Sequence, residues 1–129
     1  MRKTLVLSLQ IICIGFFSSP ISAEDLSPPE LIDFEISPTT VDVTQTSQIV
    51  TVTMHITDDE SGVVSPNVTA GSDRNSASTG FASVRLVSGD NLDGIWEATL
   101  TVPQGTTSGD WSVSLFPLRD NADNSGSFG

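Results

Sequence analysis

The run Val50-Thr51-Val52-Thr53-Met54-His55-Ile56-Thr57 alternates apolar and polar residues at every step. Alternation with a period of two is typical of a strand that turns one face to a protein core and the other to water. Threonine at the outward positions also fits the residue preferences of strands. The run therefore predicts a half-buried strand over residues 47–57, in which Val50, Val52, Met54 and Ile56 point inward.

Three further segments alternate in the same way, over residues 31–36, 95–102 and 111–115. A short apolar stretch at 41–43 continues the first of them after a break at Ser37-Pro38. The predicted inward residues are Ile32, Phe34 and Ile36 in the first segment, Trp96, Ala98, Leu100 and Val102 in the second, and Trp111, Val113 and Leu115 in the third. Because both tryptophans fall on inward faces, we expect them to pack in the core rather than to bind sugars.

The remaining segments are weaker. Residues 63–68 predict a strand that Pro66 places at an edge or a bulge, and residues 81–87 predict another strand. The small, polar stretch 70–80 predicts a mobile loop, and 125–129 leave room only for a short or truncated last strand. No segment shows sustained helical periodicity. The pattern predicts an all-β sandwich of about seven strands.

The first residues predict a secretory signal peptide. Arg2 and Lys3 precede a mostly apolar run from Leu5 to Phe17, and a small-residue cleavage region ends at Ala23. The run is shorter than the roughly 20 apolar residues that span a bilayer. We therefore interpret 1–23 as a signal peptide, 24–30 as a linker and 31–129 as the domain. The chain is then expected to be secreted or on the cell surface, with no membrane insertion after cleavage.

The charge of the chain limits its partners. Residues 24–129 contain all 16 acidic residues and only three arginines, so their net charge is −13. Nucleic acids require a basic face for phosphate contacts, and anionic membranes attract basic segments. Neither class of partner fits this composition. The charge is compatible with simple solubility or with binding of divalent cations.

Four stretches resemble bacterial immunoglobulin-like domains of secreted and surface proteins: Leu31–Val43, Ile56–Val63, Gly94–Pro103 and Leu118–Ser125. The resemblance implies an immunoglobulin-like Greek-key β-sandwich. Such modules serve many different parent proteins, so the resemblance implies little about function. Family members often end their last loop with Asp-x-Ala-Gly-Asn, and Asp123 stands here where that glycine is usual. Aspartate tolerates a left-handed backbone better than most residues do.

Two acidic loops follow predicted strands, Asp58–Gly62 and Asp120–Asn124. The resemblance implies that they are the B–C and F–G loops, which lie at the same end of the sandwich. Convergent carboxylates suit calcium, and the pairing resembles the calcium sites between cadherin-like domains. Glu30 is a further candidate, because strand A starts at this end. The predicted metal ligands are Asp58, Asp59, Glu60, Asp120, Asn121 and Asp123. The alternative is turn chemistry alone, since Asp and Asn side chains bond nearby backbone amides.

The residues favour a non-catalytic module. His55 lies on an outward face with no evident catalytic partner in the sequence, so it is interpreted as a surface residue. The first hypothesis is a structural spacer or adhesion domain of an exported bacterial protein, bound to an unidentified extracellular protein or polysaccharide. The alternative is an accessory or carbohydrate-binding domain of a secreted enzyme, which would need exposed aromatic residues such as Phe81, Phe116 or Phe128. An unpaired sheet edge would also permit self-association by strand exchange.

Overall fold

The computed structural model describes residues 24–126, and the predicted signal peptide lies outside this range. The described chain is all-β, with nine strands in antiparallel sheets. No helix in the described range could cross a membrane. The strands are β1 (Glu30–Ser37), β2 (Gln48–Thr57), β3 (Asn67–Ser72), β4 (Ser78–Phe81), β5 (Ser83–Gly89), β6 (Asp93–Val102), β7 (Trp111–Phe116), β8 (Leu118–Arg119) and β9 (Ser125–Gly126).

Two sheets form the layers of a β-sandwich. One has the strand order β1-β2-β6-β5 and the other the order β4-β3-β7, while β8 and β9 form a short hairpin beside them. Both layers contribute to a single hydrophobic core, because Val68 and Ala70 of β3 cluster with the buried residues of β2 and β6. The sequence prediction of an all-β sandwich is therefore confirmed, with nine strands instead of about seven.

The clearest predicted strands have the predicted inward faces. Val52, Met54 and Ile56 in β2 and Trp96, Ala98, Leu100 and Val102 in β6 are buried. β2 and β6 pair along their whole length, and Met54 lies opposite Trp96. Trp111, Val113 and Leu115 of β7 are half-buried and pack against the same core. Burial on alternate positions accounts for the sequence pattern, since each strand places every second side chain between the layers.

The prediction for the first strand is wrong in the face of Ile32 and in the burial of Phe34. The register of β1 on β2 shifts between Leu31 and Asp33, so Ile32 is the extra residue of a bulge and is exposed. Leu31 takes the place predicted for Ile32 and packs against the core. Phe34 lies opposite buried Met54, yet 57% of it remains exposed. The continuation predicted at 41–43 is not a strand.

The stretch 70–80, predicted to be a mobile loop, is largely a hairpin of β3 and β4. In this hairpin the Thr79 side chain replaces a missing backbone hydrogen bond of the ladder. Thr79 Oγ1 accepts a hydrogen bond from Ala70 N at 3.0 Å. The strand predicted over 63–68 starts later, at Asn67, and Val63 instead makes an isolated bridge to Asp120. That bridge brings the two acidic loops together.

Candidate functional site

The two acidic loops are joined by backbone hydrogen bonds. Val64 N donates to Arg119 O at 2.8 Å, and Asn121 N donates to Gly62 O at 2.9 Å. The Asn121 side chain adds two bonds, from Nδ2 to Ser61 O and to Gly62 O, each at 3.0 Å. The loops that follow β2 and β8 therefore form one continuous surface, although they are far apart in the sequence.

Three carboxylates from three separate segments meet at this surface. One oxygen each of Asp25, Asp58 and Asp120 lies within 4.8 Å of the other two. Asp58 and Asp120 are two of the six predicted ligands. Asp25 was not predicted, because it lies in the stretch interpreted as a linker. The one sequence feature that could have indicated an ordered segment here is the pair Pro28-Pro29, which follows Asp25 closely. Pro29 is fully buried against the domain.

Asp120 is the buried member of the group, with 1% of its surface exposed. Its Oδ1 accepts hydrogen bonds from the N–H groups of Ala122 and Asn124, both at 2.8 Å. Its Oδ2 accepts a bond from Asn124 Nδ2 at 2.7 Å. These three donors fix the turn after β8 around a carboxylate, as is usual for an aspartate that organises a loop.

Asp58 is half-buried and its two oxygens have different surroundings. Oδ2 accepts bonds from Gly62 N at 2.6 Å and from Glu60 N at 3.3 Å. Oδ1 is buried and has no hydrogen-bond partner among the described residues. A buried carboxylate oxygen without a donor costs free energy unless a water or a cation lies beside it.

Asp25 anchors the N-terminal segment to both loops. Its Oδ2 accepts a hydrogen bond from Ser61 N at 3.0 Å, and its backbone oxygen accepts one from Asn124 Nδ2 at 2.9 Å. The Ser61 side chain beside it is the main cause that lowers the pKa of Asp25, and bonds from the backbone N–H groups of Ser27 and Ser61 add to the effect. The carboxyl group is therefore held in its charged form.

The other predicted ligands do not belong to this group of three carboxylates. Asp59 and Glu60 are exposed, as is Asp123, whose carboxylate lies 3.8 Å from the Arg119 guanidinium. Asn121 is occupied by its bonds to the first loop. Glu30 begins β1 opposite Thr57 and does not belong to the group of three.

Asp123 has a φ of 70° and is the one described non-glycine residue with a positive φ. This agrees with the left-handed backbone that the usual glycine implies.

The remaining candidates have ordinary surroundings. His55 Nε2 lies 2.7 Å from Asp93 Oδ1 on the outward face of β2 and β6. Phe81 and Phe116 are exposed, with ring centroids 6.0 Å apart and an angle of 69° between their planes. They lie on the outer face of the three-stranded sheet, because they flank Thr69 and Asn67 of β3.

The comparisons with known proteins identify a family and nothing beyond it. A family model described as "Domain of unknown function (DUF7743)" matches residues 23–129. The chain belongs to the DUF7743 family. No curated protein and no solved structure matches it. The DUF7743 match includes all three carboxylates of the site and starts at Ala23, the residue that ends the predicted signal peptide.

Proposed function

We propose that this DUF7743 chain is a non-catalytic, immunoglobulin-like module of an exported bacterial protein, serving as a spacer or an adhesion domain. A calcium ion between Asp25, Asp58 and Asp120 would fasten its N-terminal segment to the two acidic loops. The observation that carries the proposal is the convergence of three carboxylates from three separate segments within 4.8 Å.

The electrostatics of the group support a cation. Three carboxylates at this separation repel one another, and a bound cation reverses the sign of that interaction. Calcium accepts 6–8 oxygen ligands and tolerates irregular geometry, so backbone carbonyls and waters can complete a shell that three carboxylates begin. Asp58 Oδ1 is buried and has no donor within residues 24–126, which suits it to such a ligand role.

The strand order supports the immunoglobulin-like assignment. The order β1-β2-β6-β5 corresponds to strands A-B-E-D of a constant-type domain, and β4-β3-β7 corresponds to C′-C-F. In that correspondence the loops after β2 and β8 are B–C and F–G. The family match starts at Ala23, the last residue of the proposed signal peptide, so it covers all of the proposed mature chain.

The melting temperature of the chain from Glu24 onward, with calcium and with a chelator, tests the proposal. Extracellular calcium modules bind with dissociation constants of about 0.1–1 mM. Calcium at ~10 mM should then add about 1.4–2.7 kcal/mol to the free energy of unfolding. This corresponds to a rise of about 5–20 °C for a domain of this size. Magnesium should give a much smaller rise, because it gives up its bound waters reluctantly.

Two matched variants identify the ligands. Asp58→Asn should abolish the calcium-dependent rise, whereas Glu60→Gln, an exposed residue of the same loop, should retain it. An unchanged melting temperature in the folded wild-type chain would show that the loops are turns only. If Glu60→Gln lost the calcium-dependent rise in melting temperature and Asp58→Asn kept it, the ligands would instead be the exposed residues of the loop.

One observation favours a second function, a carbohydrate-binding or accessory domain of a secreted enzyme. Phe81 is 72% exposed and lies edge-on to Phe116 on an otherwise polar sheet face. An exposed aromatic ring can stack on the apolar face of a sugar. Titration with soluble polysaccharides, followed by chemical shifts of the outer sheet face, tests this function. Binding that Phe81→Ala removes and Phe34→Ala leaves unchanged would support it.

A further inference from the structure

The two layers of the sandwich differ by one strand, and the difference leaves part of β1 uncovered. One sheet has four strands and the other three. Phe34 faces inward, since it pairs with Met54, which is 2% exposed. Phe34 itself remains 57% exposed because no strand of the described chain covers it from the opposite layer. The space that faces β1 from the opposite layer is therefore about one strand wide, and no strand of residues 24–126 fills it.

The free edge of β7 lies near the end of β1, because Trp111 and Val113 of β7 and Ile36 of β1 line the same groove. Within residues 24–126, β7 pairs with β3 on one side and with no strand on the other. Exposed sheet edges are usually protected by charge, shortness or proline. β1 contains three acidic residues, β5 contains Arg85, and β4 has four residues. β7 has six residues and no charge. It lacks each of these protections.

A groove between the layers lies along the same edge. Its volume is about 670 Å³, and its walls include Ile36, Val50, Val102, Trp111 and Val113. The far side is the segment 38–44, in which half-buried Val41 and Val43 alternate with exposed Asp42. A single strand inserted here would contact the edge of β7 on one side and this segment on the other, and its inward side chains would meet the apolar walls.

We propose that the groove binds one extended strand of a partner protein, with apolar residues at alternate positions and a basic residue at its end. The basic residue is inferred from Asp42 and Asp110, the two charged residues that line the groove. The net charge of −13 on residues 24–129 opposes association of two copies. Strand addition gains backbone hydrogen bonds and fills alternate side-chain pockets.

Binding of a model peptide to the full mature chain tests the proposal. The probe is a capped peptide with lysine at both ends and valine alternating with threonine between them. It should slow hydrogen exchange of the β7 N–H groups that point away from β3, and it should bind about 2- to 10-fold more tightly than the same peptide with glutamate ends, the range expected for exposed ion pairs. The preference should disappear in the Asp42→Asn/Asp110→Asn variant and persist in Glu35→Gln, a change on the outer face of β1.

Four outcomes would overturn it. The first is unchanged exchange of the β7 edge N–H groups when the peptide is added, and the second is equally tight binding of a peptide with its valines in one block. Slow exchange of the β7 N–H groups that point away from β3, seen without peptide in the monomer, would mean that residues after β9 hold the edge. Slow exchange that appears only as the chain dimerises would assign the groove to a second copy. None of these results depends on calcium, so failure here leaves the proposed metal site untouched.

Discussion

Asp58 and Asp120 place carboxylate oxygens within 4.8 Å of each other from loops that follow two different strands. Their approach is enforced by the backbone, because Val63 forms a β-bridge with Asp120 while Asp58 Oδ2 accepts a bond from Gly62, the residue before Val63. The loops cannot separate to relieve the repulsion without losing these bonds. The mutual repulsion of the two carboxylates therefore acts against these hydrogen bonds whenever no cation is present.

Asp58→Asn should have effects of opposite sign with and without calcium. In chelator the variant should be as stable as the wild type or up to about 1 kcal/mol more stable, because one of three repelling charges is removed. In ~10 mM calcium it should be the less stable protein, because it lacks a charged ligand. Urea unfolding at neutral pH in the two buffers measures both differences. A variant that is less stable by the same amount in both buffers would contradict the repulsion argument.

Asp120→Ala should destabilise the chain in both buffers. The change leaves the N–H groups of Ala122 and Asn124 and the Asn124 side chain without their acceptor in a buried position. Loss of bonds to a buried charged group should lower the free energy of unfolding by about 3 kcal/mol. Asp123→Asn, an exposed change in the same loop, should stay within about 0.5 kcal/mol. Equal losses in the two variants would mean that Asp120 does not organise the loop.

Asp25 should contribute stability that disappears in acid. Its folded-state pKa lies below the ordinary value of 3.8, chiefly because of the Ser61 side chain. The stabilisation is therefore complete above about pH 3.8 and is lost as the pH falls through the lowered folded-state pKa. The difference in urea midpoint between wild type and Asp25→Asn should shrink as the pH falls from 5 toward 2. A difference that grows in acid would show that the pKa is raised instead.

Asp42 offers an independent comparison for this pH effect. The Thr44 side chain lowers the pKa of Asp42, and Asp42 Oδ1 accepts bonds from Thr44 Oγ1 at 2.7 Å and Thr44 N at 2.9 Å. The pKa is lowered here as it is in Asp25. The difference in urea midpoint between the wild type and Asp42→Asn should therefore also become smaller as the pH falls below 4. Because the two residues share no partner, the effects should add in the double variant.

The fold was predictable wherever alternation reports burial on one face. β2 and β6 lie at the centre of their sheet, so every second residue is buried and the pattern is unbroken. β1 misled the prediction because the bulge at Ile32 changes the face of the preceding residues, and because nothing in the described chain covers Phe34. Alternation marks which side chains share a face and does not reveal whether that face is covered.

The site was predictable only in part, for a related reason. Asp58 and Asp120 follow strands, so a resemblance to a known sandwich implies their convergence. Asp25 precedes the first strand, and no periodicity constrains where such a segment lies. Its position depends on long-range contacts, the bonds from Ser61 N and Asn124 Nδ2 and the burial of Pro29. These contacts could not be inferred from local sequence.

Gly62→Ala should test how tightly the loops at the site are packed, with Gly105→Ala as its matched control. Both glycines have a positive φ, 89° and 79°, so an alanine should cost about 1–2 kcal/mol of backbone strain at either position. A Cβ at Gly105 would meet no atom within 4 Å, whereas a Cβ at Gly62 would lie 2.6 Å from Asn91 Cγ. We expect Gly62→Ala to cost about 1 kcal/mol more than Gly105→Ala, because the Asn91 side chain must move.

The Gly62→Ala change should also weaken calcium binding at the candidate site. Gly62 N donates to Asp58, and Gly62 O accepts bonds from the backbone and side chain of Asn121. A displaced Gly62 would shift Asp58 relative to Asp120, so the calcium-dependent rise in melting temperature should fall in Gly62→Ala and remain in Gly105→Ala. Urea unfolding in chelator gives the first comparison and melting curves in calcium give the second. Equal results for the two variants would mean that Asn91 swings aside freely and that the loops at the site accommodate a side chain.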